Sequence, residues 1–271
     1  MEPLEVALLI GLGLAVGTYS GAVGAGGGFL LTPLLLFRHG DASPAAVAMA
    51  ALTVVIMISG LSAVTAARAG RIDRPVAGVL TAVALPAGLV GAVGTSLLPR
   101  DLFAIFFGGL LLVIGLYLAW RPAATYATPL RGGWERQFTD GEGDTFHYHV
   151  PVRAGLIATG STAFLSALAG IGGGLIYTPL ATRVMRIPHA LAVPIAQTVN
   201  TGMATMVVAF HLVAGNAAAG PMGDVPALGI GVLISVPLGR RVNRRLGEGL
   251  LSRLLAAGLL VVAARTVLLA L

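Results

Sequence analysis

Two stretches of this chain could present hydrogen-bond donors without using a charged side chain. GAVGAGGGFLLTP runs from Gly21 to Pro33, and LAGIGGGLIYTP runs from Leu168 to Pro179. In each, a glycine cluster (Gly26, Gly27 and Gly28; Gly172, Gly173 and Gly174) precedes a short apolar segment carrying the same Thr-Pro pair. A helix that begins at such a cluster leaves its first backbone N–H groups unpaired and carries partial positive charge there, which suits an anion. A third stretch, VPIAQTVNTGMATMVVAFHLVAG, spaces Gln197, Asn200, Thr201 and Thr205 three or four residues apart, so they share one helix face, with His211 near that face further along. Amides and hydroxyls there would add neutral donors for the oxygens of a small anion, and His211 could carry a proton. The same residue types also serve close helix packing and interhelical hydrogen bonding, so both uses stand at this point.

The elements that must position these residues follow from an internal repeat. Shifting the chain by 146 aligns Ser20 with Ser166, Gly24 with Gly170, the glycine triplet Gly26 to Gly28 with Gly172 to Gly174, and Thr32-Pro33 with Thr178-Pro179. A serine, a spaced glycine, a triplet and a Thr-Pro in one register mark a duplication. Each half reads as an apolar segment into the glycines, a short apolar segment out of them, and three longer spans. The first repeat covers 1–120 and the second 152–271. The segment FLLTPLLLF (Phe29 to Phe37) has too few residues to cross a bilayer alone, so a re-entrant half-helix starting at the glycines is expected. Ser20 and Ser166 border the two clusters. On the first-half counterpart of the polar face, Thr53 joins Ser59, Ser62 and Thr65 as the polar residues on offer.

Composition sets the solvent. Hydrophobic residues make up 56% of the chain and charged ones only 10%, against roughly 25% charged in soluble domains. Uncharged runs such as Pro44 to Ala67, Pro75 to Leu98 and Leu102 to Trp120 reach the length of a membrane-crossing helix. The expected fold is therefore an all-α polytopic membrane protein of two inverted-topology repeats, each a glycine-broken helical hairpin followed by three transmembrane helices, with the lipid bilayer as its surroundings. The acidic start MEPLEVALLI is unlike a signal peptide, so the first span is read as uncleaved. With no cysteine, disulfides and thiol chemistry are excluded. All 17 basic residues are arginines, most of them in short loops. That is the pattern of the positive-inside rule and not of nucleic-acid binding.

Arginine placement also tests orientation. ARAGRIDR (Ala67 to Arg74) carries three arginines, while its second-half counterpart VAGNAAAGPMGD (Val213 to Asp224) carries none. RRVNRRLGEG (Arg240 to Gly249) carries four where the first half has only PRD (Pro99 to Asp101). The bias reverses between halves, so each half should cross an odd number of times. The N-terminus, 213–224 and the C-terminus are then expected outside, and 68–74, 121–151 and 240–249 in the cytoplasm. Arg38 and His39 fall outside beside Asp41, against the rule. Within the 121–151 linker, ERQFTD and TFHYHV flank GEG and predict a small β-hairpin.

All 11 acidic residues lie at ends, in loops or in the linker. No carboxylate is left to relay protons or hold a cation within a span, no histidine pair offers a metal site, and no buried acid accompanies a nucleophile. An enzyme, a metal and a cofactor are all unexpected, and single Asp→Asn changes at Asp41, Asp73, Asp101 and Asp224 should be mild. A small anionic substrate is the reading with least missing. Two classes remain: a secondary transporter with saturable flux, or an anion channel or structural membrane subunit.

The paired GAGGGFLLTP and GIGGGLIYTP, the DGEGDTFHYHVP linker and HLVAG after the third segment of the second half resemble the TauE/SafE family of sulfite and organosulfonate exporters. The resemblance covers almost the whole chain. It implies an exporter in the prokaryotic cytoplasmic membrane for small sulfur-containing anions such as sulfite or sulfoacetate. One departure is that Ala66 stands four residues before Gly70, where the second half has His211 before Gly215.

Overall fold

A computed structural model describes residues 2–23, 26–120, 133–245 and 256–264. Gly24, the 121–132 part of the linker and 246–255 lie outside the described residues. The protein is an all-α polytopic membrane protein with one small sheet. Helices α1 (Pro3–Val23), α2 (Gly28–Arg38), α3 (Pro44–Arg68), α4 (Arg74–Leu97) and α5 (Arg100–Trp120) precede strands β1 (Trp134–Thr139) and β2 (Thr145–Val150). Helices α6 (Val152–Leu168), α7 (Gly174–Arg183), α8 (His189–Val213), α9 (Ala219–Arg245) and α10 (256–264) follow. Among the described residues, five helices are long and apolar enough to cross a membrane: the 3–21 part of α1, then α3, α4, the 100–117 part of α5, and α8.

The short helices behave as their length requires. With 11 residues, α2 is about 16 Å long, half of a hydrocarbon core. Arg38 at its end is ion-paired with Glu5 in the first turn of α1, so α1 goes in and α2 comes back to the same end. The α6–α7 pair does likewise: a β-carbon at Gly155, in the first turn of α6, would sit 3.7 Å from Met185, just past the end of α7. The two pairs open toward opposite ends of α3. Arg100 donates to the carbonyls of Leu36, His39 and Ala42 (3.1 Å and 2.6 Å for the last two) at the start of α3. The far end of α3 lies against the hairpin, where Gly141 packs on the Ala69 carbonyl.

Packing repeats between the halves. α1 runs along α9, and α6, its counterpart by the 146-residue shift, runs along α4. Glycines allow these approaches: Gly13 lies on the Leu228 carbonyl, Gly231 on that of Ile10, and Gly91 on that of Phe164. α3 and α8, also counterparts, pack against each other.

Two acids read from sequence as mild loop residues are structural. Asp224 is the sixth residue of α9 and is buried there. It accepts from Arg38 Nε at 2.7 Å and lies 2.8 Å from His39 Nε2. This pairing also accounts for the cationic Arg38 and His39 at an end where the arginine rule wants few cations: Glu5 and Asp224, not Asp41, balance them. Asp73, the N-cap of α4, is fully buried and accepts from Arg136 Nη2 (2.8 Å), Arg136 Nε (3.1 Å) and the Tyr148 hydroxyl (2.7 Å). Burial, then the bond to Asp73, pushes the Tyr148 phenol up, so it stays a donor; the bond to Asp73 raises the Arg136 guanidinium. Asp73→Asn removes the charge that three donors share and is expected to destabilise the fold by about 2 kcal/mol. Thermal unfolding of purified protein checks this, and a melting curve equal to the parent's would show the triad to be energetically idle.

Candidate functional site

The glycine clusters meet. A β-carbon at Gly26 would lie 3.9 Å from the Gly174 backbone, and one at Gly28 would overlap the Ile171 carbonyl, 2.9 Å from the Ile171 Cα. Positive φ explains why glycine is used: Gly26 (75°), Gly27 (81°), Gly170 (65°) and Gly172 (71°) sit where side chains are strained. Gly173, at φ −71°, is an exception. The shared Thr-Pro also has a use, because Thr32 Oγ1 reaches across and donates to the Gly170 carbonyl at 2.7 Å. Its counterpart Thr178 is half-buried, with its hydroxyl buried and unpartnered.

Asn200 of α8 joins the two clusters. Its Oδ1 accepts the Gly173 N–H, which caps α7 from a neighbouring helix. An acceptor is the one group that can face an N–H donor, so this bond fixes the amide orientation. Nδ2 is thereby turned toward Gly26 and Gly172, whose β-carbons would stand 3.2 Å and 3.4 Å away, and it is buried without a partner. Ser20 and Ser166 flank the clusters, each fully or almost fully buried with an unpartnered hydroxyl. The Ser20 Oγ would be 2.8 Å from a β-carbon at Gly27. Gln197 is buried one turn before Asn200. The cluster is therefore neutral, buried and rich in donors, which is the chemistry that replaces the hydration shell of a small anion.

The other expected residues are placed differently. Thr53 and Thr201 each donate to their own helix, to the carbonyls of Met49 (2.8 Å) and Gln197 (2.7 Å). His211 is fully buried but lies 11 residues beyond Asn200, with Nδ1 3.2 Å from Asn216 Nδ2 at the far end of α8. The second glycine cluster does not offer all its N–H groups, since Asn200 takes that of Gly173. Sequence reasoning missed Thr162, buried and unpartnered on α6, one turn before Ser166.

With this geometry in hand, comparison with known families is decisive, because the family described as Sulfite exporter TauE/SafE matches residues 9–266. The chain belongs to the TauE/SafE family. It is a membrane transporter by that membership, and not an enzyme. The TauE/SafE chain is also similar to the probable membrane transporter protein YunE of Bacillus subtilis (strain 168), 27% identical over 197 residues, which is 70% of this chain and 72% of that protein. No solved structure matches it. The matched TauE/SafE region spans both glycine clusters and α8.

Proposed function

We propose that the protein is a secondary transporter that exports small sulfur-containing anions, sulfite, sulfoacetate or related organosulfonates, across the prokaryotic cytoplasmic membrane by alternating access. The observation that carries this reading is the buried, uncharged cluster in which the unpartnered Asn200 Nδ2 and the Ser20 hydroxyl face paired glycine turns, with the unpartnered Ser166 hydroxyl buried nearby in the chain. Sulfonate and sulfite present three oxygens that accept hydrogen bonds, and helix N-termini with neutral donors hold such groups without a counter-cation. A site of moderate strength also releases its cargo, which transport requires.

The mechanism follows from pairs that open to opposite ends. Residues 1–120 and 152–271 form two inverted repeats around the linker, and the site lies where their broken helices touch. Exchanging the packing of α1 on α9 with that of α4 on α6 would expose the site alternately to each side. Positive-inside arginines place the Arg71 and hairpin end in the cytoplasm and the Asp224 end outside.

Proteoliposome flux of labelled sulfite tests the proposal: saturation at low concentration is expected, and flux linear in concentration would assign a channel instead. Orientation is checked with single cysteines in this cysteine-free chain. Val213→Cys, at a position 90% exposed, should react with an impermeant thiol reagent on whole cells, and Gln137→Cys on the hairpin should not. The reverse pattern would overturn the orientation.

A further inference from the structure

One face of α6 carries Thr159, Thr162 and Ser166, spaced by three and four residues and all buried. Thr159 Oγ1 donates to the Gly155 carbonyl at 2.7 Å and lies 3.1 Å from the Tyr177 hydroxyl. The hydroxyls of Thr162 and Ser166 have no partner. The stripe reaches the glycine site at one end, since the Ser166 carbonyl accepts the Ile171 N–H at 3.0 Å, and Tyr177 follows one turn after Gly173. Its other end stops beneath the β-hairpin. There Tyr148 and Val150 of β2 are packed in one apolar cluster with Tyr177, Met185 and Ile187. On the α1 face that corresponds by the 146-residue shift stand Gly13, Val16 and Ser20, so the polar line exists in the second half alone.

Two buried hydroxyls without partners are costly unless something visits them, and a line of them between a donor-rich site and one end of the protein is suited to a passing oxyanion. The hairpin borders the end of that line, where a β-carbon at Gly155 would lie 3.7 Å from both Val150 of β2 and Met185. It meets the first half through ion pairs, Arg136 with Asp73 and Arg71 with Glu142, and through Gly141 on the Ala69 carbonyl, and it shares an apolar cluster with Tyr177, Met185 and Ile187 of the second half. A cover attached by exchangeable charge pairs on one side can release there while staying seated on the other.

We propose that the Thr159–Thr162–Ser166 stripe is the passage between the glycine site and the hairpin end, and that the β1–β2 hairpin is its lid, released from the α3–α4 turn when the passage opens. The assignment rests on the transport reading above. The stripe supplies hydroxyl donors to an anion's oxygens in succession, and the lid closes it between cycles.

The test uses Thr162→Cys as the single thiol, in lipid nanodiscs, with a charged maleimide as the probe. Labelling is expected to be slow with the lid intact and about tenfold faster with Arg136→Gln, the loss of one charged hydrogen-bonded pair. Glu142→Gln, at the exposed hairpin tip, leaves the buried triad in place and should accelerate labelling by a smaller factor. Val16→Cys is the reporter for general loosening, and Arg153→Gln, which makes no ion pair among the described residues, is the control; neither should respond. Equal labelling rates with and without the lid variants, or equal acceleration at Val16→Cys, would overturn the lid. Thr162→Val should lower sulfite flux about tenfold while sulfite binding is kept, and unchanged flux would overturn the passage. If the parent moves no sulfite at all, the transport reading fails, whereas the labelling rates still decide the lid.

Discussion

Gly28→Ala is expected to abolish anion binding and to destabilise the protein by about 3 kcal/mol, because its one added methyl must displace backbone. A β-carbon there overlaps the Ile171 carbonyl, the contact by which the first glycine cluster rests on the second. No rotamer change relieves a clash with main chain, so the clusters must separate and the donors with them. Gly173→Ala, in the other triplet, should be nearly silent. Its φ of −71° suits any residue, and the nearest atom to the new methyl is Asn200 Oδ1 at 3.4 Å, ordinary contact. Thermal unfolding and sulfite binding by calorimetry distinguish them. A folded Gly28→Ala protein that binds sulfite as the parent does would mean the clusters' contact plays no part in the site.

The second large effect is expected at Asn200. In Asn200→Asp the carboxylate still accepts the Gly173 N–H, so α7 keeps its cap. The two N–H donors facing Gly26 and Gly172 are replaced by negative charge, and affinity for a sulfur oxyanion should fall about 100-fold or more, roughly 3 kcal/mol. Asn200→Ala loses the donors without adding repulsion and leaves the Gly173 N–H unpaired, so its cost should appear more in stability than in binding. Unaltered sulfite affinity in Asn200→Asp would reduce Asn200 to a helix cap and remove it from the site.

Much of this arrangement was legible in the sequence because glycine and arginine speak through the backbone and through topology. The triplets fixed where helices break, and the short apolar runs after them matched α2 and α7 closely. The spans at Pro44, Pro75 and Leu102 begin within two residues of α3, α4 and α5. Periodicity also placed Gln197 and Asn200 on a buried face. What a single stretch could not reveal was reach between distant elements. Thr32 finds Gly170 across 138 residues, and Asp73 finds Arg136 across 63. A loop acid looks solvated until the strand that covers it is placed. Thr201 shared a face with Asn200 by spacing, and Thr53 was offered on the first-half counterpart, yet a hydroxyl can satisfy itself on its own helix four residues back, and an amide of that length is held by a neighbour. Of the α6 hydroxyls, Ser166 was legible through the repeat, whereas Thr159 and Thr162 were hidden, since serine and threonine in a span usually bond backward.

The join between the clusters is lopsided: Asn200 stands on α8, and 146 residues upstream the matching position on α3 is Val54. Two identical subunits related by a two-fold axis could not make that choice, for each would bring its own amide to the axis and the pair would compete for one space. Carrying both copies in one chain lets a single amide serve. On the proposed reading the chain would count its cargo, one anion per polypeptide per turnover, and a calorimetric titration should return a stoichiometry of one where a symmetric pair of amides would have admitted two.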